Sequence, residues 1–281
     1  MKTFTCTQPQ TLRDFTDANF PQGSFCFARL LRAKDIKVNG VRVNKNIALK
    51  SGDEIVFYTT EKQESMPTHG KVYEDENVYI ADKFSGVSSE GLCAELNTYG
   101  TFYPVHRLDR NTCGLLVYAK NREAESSLIS AFKDHGVQKT YSAICKNNFT
   151  VDKQILTAYL VKDEKGALVK VFDRPREGAQ KIITEYAVEQ KSGDIALVSI
   201  VLHTGRTHQI RAHFAHIGCP VLGDNKYGDE ALNGKYNITR QCLLARRVEF
   251  STLSGNLSYL NGVVVESAQR LELQSVANKK D

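Results

Sequence analysis

Apolar residues recur along this chain in two rhythms, and the rhythms divide it into strand-like and helix-like stretches. Alternation with a period of two marks strands. Ala196, Val198, Ile200 and Leu202 fall on one side of a predicted strand over 195–203, and similar stretches cover 138–146 and 182–190. Recurrence every three or four residues marks helices. Between Asn121 and a stop at Gly136, residues Ala124, Leu128, Ala131 and Phe132 form one stripe. A second helix is expected from Thr207 to Ile217, ending at Gly218. It would carry Ile210, Phe214 and Ile217 on one face and His208, Arg211 and Ala215 on another. Strands outnumber helices without a regular strand–helix–strand repeat. The predicted class is therefore α+β, with a mixed, mostly antiparallel sheet and flanking helices.

The first sixty residues follow a smaller plan. Ser24 can cap a short helix that turns Phe27, Leu30 and Leu31 inward and Arg29 and Arg32 outward. Ile36 to Val43 alternates around Asn39-Gly40, a pair that tolerates positive φ at both positions and so predicts a tight hairpin. Ser51-Gly52-Asp53 supplies another turn before a closing strand, Ile55 to Tyr58. Residues 59–70 are polar and hold one proline, as linkers do. Two domains follow: a small basic α/β module over 10–60 and a larger module over 71–275.

Composition adds little until charge is placed along the chain. The 281 residues are 41% hydrophobic and 25% charged, with a net charge of +5, which is ordinary for a globular protein. Between residues 20 and 50, however, Arg29, Arg32, Lys34, Lys37, Arg42, Lys45 and Lys50 face one acid, Asp35. That net +6 leaves the rest nearly neutral, and such clustering is the footprint of a nucleic-acid-binding module. Seven scattered cysteines with no Cys-x-x-Cys pair argue against a disulfide framework or zinc knuckle. No apolar leader or bilayer-length apolar run is present. The expectation is a soluble, cytoplasmic protein that acts as a monomer, with RNA and no membrane as its partner.

Two polar segments stand out from the scaffold. His106-Arg107-Leu108-Asp109-Arg110-Asn111-Thr112-Cys113-Gly114 sets one carboxylate among two arginines and a histidine, then runs into apolar Leu115 to Ala119. Thr204-Gly205-Arg206-Thr207-His208-Gln209-Ile210-Arg211 is a turn opening a helix, where free amides and Arg206 suit an anion. Between them, Lys139-Thr140-Tyr141 places a tyrosine on a strand. Taken singly, each has a plainer explanation: Asp109 in a surface ion pair, Tyr141 in a core, Arg206 in a cap. His203, His208, His213 and His216 match no familiar ligand spacing, so no metal site is expected.

Together and in this order, the three motifs resemble those of the RluA family of pseudouridine synthases over nearly the whole second module. The first module resembles the small RNA-binding domain of ribosomal protein S-four type. The resemblance implies isomerisation of uridine within RNA, without metal or organic cofactor. It makes Asp109 the catalytic nucleophile, Tyr141 the ring against the uracil and Arg211 the partner of Asp109. Arg107 becomes the side chain that fills the gap left by a flipped base. RNA contacts are expected from Arg107, His106, Arg110 and Arg206, and from Arg29, Arg32, Lys37 and Arg42 in the first module. Its N-terminal domain tilts the expected substrate toward large-subunit ribosomal RNA. Two alternatives stay open: the same activity on transfer RNA, or a non-catalytic RNA-binding or ribosome-assembly factor that keeps the fold. Cys113 stands where the family more often has serine, and Ala81 to Val87 keeps only Lys83 and Gly86 of an Asn-Lys-Pro-x-Gly pattern.

Overall fold

The computed structural model describes residues 1–19, 27, 30–31, 33–59, 67–163 and 168–278; Ser24, Arg29 and Arg32 lie outside them. The chain begins with strands β1 (Lys2–Thr5) and β2 (Gln10–Thr11), then helix α1 (Leu12–Asn19). Strands β3 (Ile36–Val38), β4 (Val41–Val43), β5 (Ala48–Leu49) and β6 (Glu54–Phe57) follow. The order β1-β6-β3-β4 makes a small sheet, with β2 and β5 paired beside it. At the β3–β4 corner Asn39 and Gly40 have φ of +49° and +78°, as the expected two-residue turn requires. Leu12 and Phe15 of α1 pack with Phe27, Leu30, Ile36, Ile55 and Phe57 in a core of their own. The module reaches further toward the N-terminus than residue 10, since β1 pairs with β6 through Lys2↔Phe57.

The second module opens with β7 (His69–Glu74), two residues ahead of the expected boundary, and β8 (Val78–Lys83). Helix α2 (Ser89–Leu96) precedes β9 (Tyr103–Pro104) and β10 (Cys113–Ala119), and α3 (Arg122–Lys133) precedes β11 (Val137–Lys146). A run of long strands follows: β12 (Lys153–Asp163), β13 (Leu168–Phe172), β14 (Gln180–Ser192) and β15 (Ile195–Leu202). Helices α4 (Gln209–His216) and α5 (Glu230–Lys235), strands β16 (Leu243–Phe250) and β17 (Val264–Glu266) and helix α6 (Leu273–Ala277) complete it. Eleven strands form one sheet in the order β13-β12-β14-β15-β11-β16-β10-β8-β7, with β17 beside β16 and β9 beside β10. The class matches the sequence expectation.

Strand β10 is buried on both faces, which explains its unbroken apolar run. Leu116 and Tyr118 join the core that holds Tyr141, Val198 and Phe214. Leu115 and Val117 join the core under α3, with Ala124, Leu128 and Phe250. Its pairing with β16 runs parallel, Cys113↔Leu244 and Gly114↔Ala245, whereas its pairing with β8 is antiparallel. Gly114 has φ of +105°, and an added Cβ would lie 2.2 Å from the Ala245 carbonyl oxygen. Glycine is therefore required where β10 meets β16, immediately after the polar segment. Cys113 is buried, with its thiol 3.5 Å from the Leu243 carbonyl oxygen, so it packs rather than reacts.

Candidate active site

The segment from His106 to Thr112 is a loop, turning at Asp109–Thr112, held at nearly every other residue. His106 Nε2 accepts the Val117 amide at 2.9 Å, and its ring lies 4.6 Å from the Phe132 ring. Leu108 is clamped by the Ser89 hydroxyl, which accepts from its amide at 3.0 Å and donates to its carbonyl at 2.9 Å. The Arg110 carbonyl accepts from Lys83 Nζ at 3.1 Å and the Gly86 amide at 2.9 Å. Ser85 donates to the Asn111 carbonyl at 3.0 Å, and Gln241 donates to the Thr112 hydroxyl at 2.9 Å. His106, Arg107, Leu108, Asp109 and Thr112 of this segment all line a cavity of about 250 Å³.

Two of the expected RNA contacts have protein partners in this arrangement. His106 spends a ring nitrogen on the β10 backbone, and burial pushes its pKa down to about 3 with help from the Lys139 charge. It is a neutral anchor that also lines the cavity. Arg110 turns away from the cavity and pairs with Asp17 on α1 through both Nη atoms. Arg107 does reach solvent at the cavity rim, where it pairs with exposed Glu90 at 3.2 Å. An exposed pair is worth about 0–1 kcal/mol, so exchanging Glu90 for RNA costs Arg107 little.

Lys83 shows what survives of the atypical Ala81–Val87 segment. Its ammonium is fully buried and donates to the carbonyls of Phe84, Val87 and Arg110. Burial pushes its pKa down to about 7. Neighbouring Asp82 accepts from Ser267, the Ala268 amide and the Gln269 side chain, tying the C-terminal segment to β8.

Asp109 meets Arg211 across the cavity: Nη1 donates to the carboxylate at 2.8 Å. Arg211 is buried on α4, and its Nε and Nη2 bind both oxygens of Asp224 at 2.6 and 2.9 Å. A side-on bidentate pair fixes the guanidinium plane, which leaves Nη1 aimed at Asp109. Burial alone would lower the Arg211 pKa, but Asp224 and then Asp109 reverse that and raise it. Burial likewise works to raise Asp224, and Arg211 outweighs it to hold the carboxyl below its usual range. The buried cation between two carboxylates stays ionised.

Tyr141 stands on β11 where the register with β16 shifts, pairing with Ala245 while Thr140 pairs with Arg247. Such bulges re-aim side chains, and here the phenol lines the same cavity as Asp109. Burial, followed by the Asp109 charge, raises its pKa and keeps the hydroxyl protonated. Two residues earlier Lys139 lines the wall, its ammonium 5.1 Å from the Phe132 ring centroid.

The expected anion cradle before α4 is only partly available. His208 adopts φ of +54°, so the helix begins at Gln209 rather than Thr207. The Arg206 amide donates to Gln209 Oε1 at 3.0 Å, and Gln209 Nε2 donates to Thr184 at 3.0 Å. Arg206 itself is exposed at the rim. His208 lies 3.9 Å from Asp109 and shares a hydrogen bond of 2.9 Å with Tyr227. Burial lowers its pKa against the pull of Asp109. Asp224, His208, Tyr227 and Lys139 were not among the expected site residues. The polar Gly223-Asp224-Asn225-Lys226-Tyr227-Gly228 turn after Val221-Leu222 was the available signal.

In the first module Lys37 and Arg42 lie 5.3 and 5.0 Å from the centroid of the Tyr58 ring, a basic surface with an aromatic face. Of the four histidines weighed as metal ligands, the three besides His208 have separate partners: His203 with Glu185, His213 with Thr184, His216 with Asp173. Among the described residues no group of three or more His, Cys, Asp or Glu side chains could hold a metal ion. No helix among them is long and apolar enough to cross a membrane.

Residues 56–216 match the family model described as RNA pseudouridylate synthase. A ribosomal large subunit pseudouridine synthase C of Vibrio cholerae is 30% identical over 251 residues, spanning 79% of this chain and 78% of that protein. Its counterpart in Rickettsia bellii is 32% identical over 234 residues, spanning 73% of this chain and 77% of that protein. Among solved structures, human RNA pseudouridylate synthase domain containing 4 superposes with a TM-score of 0.60 at 21% identity. It covers 75% of this chain and 92% of its own.

Proposed function

The chain belongs to the RNA pseudouridylate synthase family and is an RNA pseudouridine synthase, an isomerase; from that premise we propose that it acts on large-subunit ribosomal RNA with Asp109 as its nucleophile. The observation that carries the catalytic part is the 2.8 Å pair between Asp109 and Arg211 at a cavity floored by Tyr141. Isomerisation breaks the bond from ribose C1′ to uracil N1 and makes one to C5. The proton at C5 is lost and N1 gains one, so atoms balance without a co-reactant. Asp109 attacks the nucleotide, and the Arg211 Nη1 donor at 2.8 Å holds its carboxylate in place. Tyr141 offers a ring face to the freed base, and stacking of this kind is worth about 1–3 kcal/mol.

A stacked uridine cannot reach Asp109, so the base is flipped at a cost of a few kcal/mol. Arg107, exposed at the rim beside Asp109, is the side chain we assign to the vacated stack. Arg206 is the second rim cation. Residues 10–60 act as an RNA-binding module of ribosomal protein S-four type, with Lys37, Arg42 and Tyr58 forming its described contact face. Arg29 and Arg32 complete the basic set by sequence. Two named relatives at 30% and 32% identity are large-subunit enzymes, which favours ribosomal over transfer RNA. A cytoplasmic enzyme working as one copy fits a cavity built from a single chain and six free thiols among the described residues.

Pseudouridine mapping in total RNA, with and without the gene, tests the substrate. One or more large-subunit ribosomal positions should revert to uridine when the gene is absent. Reversion confined to transfer RNA would overturn the ribosomal assignment.

A further inference from the structure

We propose that Asp17, in the N-terminal module, is a positioning residue for catalysis, holding the Asp109 loop through Arg110. This rests on reading Asp109 as the nucleophile. Helix α1 buries Leu12, Phe15 and Thr16 in the core of its own module, and it packs against α2 of the larger module. Asp17 receives both Nη atoms of Arg110, Nη1 at 3.0 Å. The two side chains are only 13% and 24% exposed, so water screens the pair weakly. They lie 93 residues apart in sequence, and the contact joins the two modules.

Arg110 is the neighbour of Asp109 and sits inside a turn closed by the Thr112 amide on the Asp109 carbonyl at 3.1 Å. Its carbonyl is fixed from below by Lys83 and Gly86, and its side chain is fixed from the other module by Asp17. Arg13, one helical turn before Asp17, is a second cation in this junction; after burial, the Arg110 charge is what most lowers its pKa. The Asp17 charge opposes the effect of Arg110 on Arg13. Neutralising it leaves Arg13 and Arg110 in mutual repulsion, and the readiest relief is a shift of residue 110. The Asp109 carboxylate would move with that peptide, and a displacement of 1 Å can cost about 10²-fold in rate. In this account the N-terminal module is a fixed wall of the catalytic loop as well as a contact for RNA.

The test uses the full chain with Asp17→Asn, Asp17→Glu and Asp109→Asn. Single-turnover conversion of a target RNA, RNA affinity and hydrogen exchange over residues 106–112 are measured for each. Asp17→Asn should lose about tenfold in single-turnover rate with affinity within about twofold of wild type. Exchange over 106–112 should rise, and Asp17→Glu should keep most of the rate. A wild-type rate in Asp17→Asn beside an inert Asp109→Asn would overturn this proposal and leave the nucleophile standing. So would a loss expressed only in affinity, or unchanged exchange in the loop, or global unfolding of Asp17→Asn with no rate retained by Asp17→Glu. Full activity in Asp109→Asn would instead overturn the reading on which it rests.

Discussion

Arg211 is the residue on which the electrostatics of the cavity turn. Its guanidinium is shared unequally, two nitrogens to Asp224 and one to Asp109. Asp224→Asn removes the charge but keeps the shape, leaving a buried cation with a single charged partner that is 22% exposed. Breaking a buried pair from one side costs about 3–5 kcal/mol; because Asp109 still faces Arg211, a loss of about 3 kcal/mol in urea unfolding is expected. The rate constant for chemistry should fall by more than tenfold as Arg211 rotates. Unchanged stability and rate would mean that Asp224 does not fix the guanidinium. Tyr141→Phe asks a different question of the same pocket. The ring, and with it stacking, is retained, so RNA affinity should hold while turnover falls if the raised, protonated hydroxyl takes part in proton transfer.

Strand β10 and the loop that feeds it decide whether Asp109 is presented at all. Gly114→Ala would push a methyl carbon to within 2.2 Å of the Ala245 oxygen at a positive φ, so β10 and β16 must separate. The expected result is loss of at least about 3 kcal/mol in stability or failure to fold. Wild-type melting would contradict the close β10–β16 approach. The His106 anchor gives the loop a pH dependence. Its folded pKa of about 3 lies below the ordinary histidine value of 6.5, so the unfolded chain binds the proton more readily. Stability is then full above pH 6.5 and declines as pH falls toward 3. His213, depressed to about 4 by burial, acts in the same direction. Between pH 7 and 4.5, His106→Gln should lose about 2 kcal/mol less stability than wild type; equal losses would remove His106 from the account. Much at this scale was legible beforehand. Strands β11, β14 and β15 lie within two residues of the predicted bounds, and helix α3 ends three residues before Gly136, because local periodicity specifies these elements. The start of α4 was misplaced because His208 takes a left-handed conformation fixed by Tyr227 and the burial around it. The parallel β10–β16 contact joins residues more than a hundred apart, and no local pattern encodes that. Asp109, Tyr141 and Arg211 were readable as a motif set, whereas Asp224 and Asp17 work through folded geometry alone.

At the scale of the whole molecule, the proposed RNA path runs between the basic hairpin and the cavity, and the Asp17–Arg110 contact joins the two modules. Lys37→Ala and Arg42→Ala should each weaken RNA binding and reduce the slope of affinity against salt by about one. An unchanged slope would remove the hairpin from the RNA path. Arg107→Ala should instead slow base capture, lowering turnover more than affinity, because its exposed pair with Glu90 contributes little on its own. Attack of Asp109 on a flipped uridine is read out by tritium release. RNA carrying 5-³H-uridine is incubated with wild type and with Asp109→Asn, with RNA binding measured in parallel. Wild type should release tritium in step with pseudouridine formed, while Asp109→Asn binds the RNA and releases none. Release by Asp109→Asn at the wild-type rate would rule out Asp109 as the nucleophile.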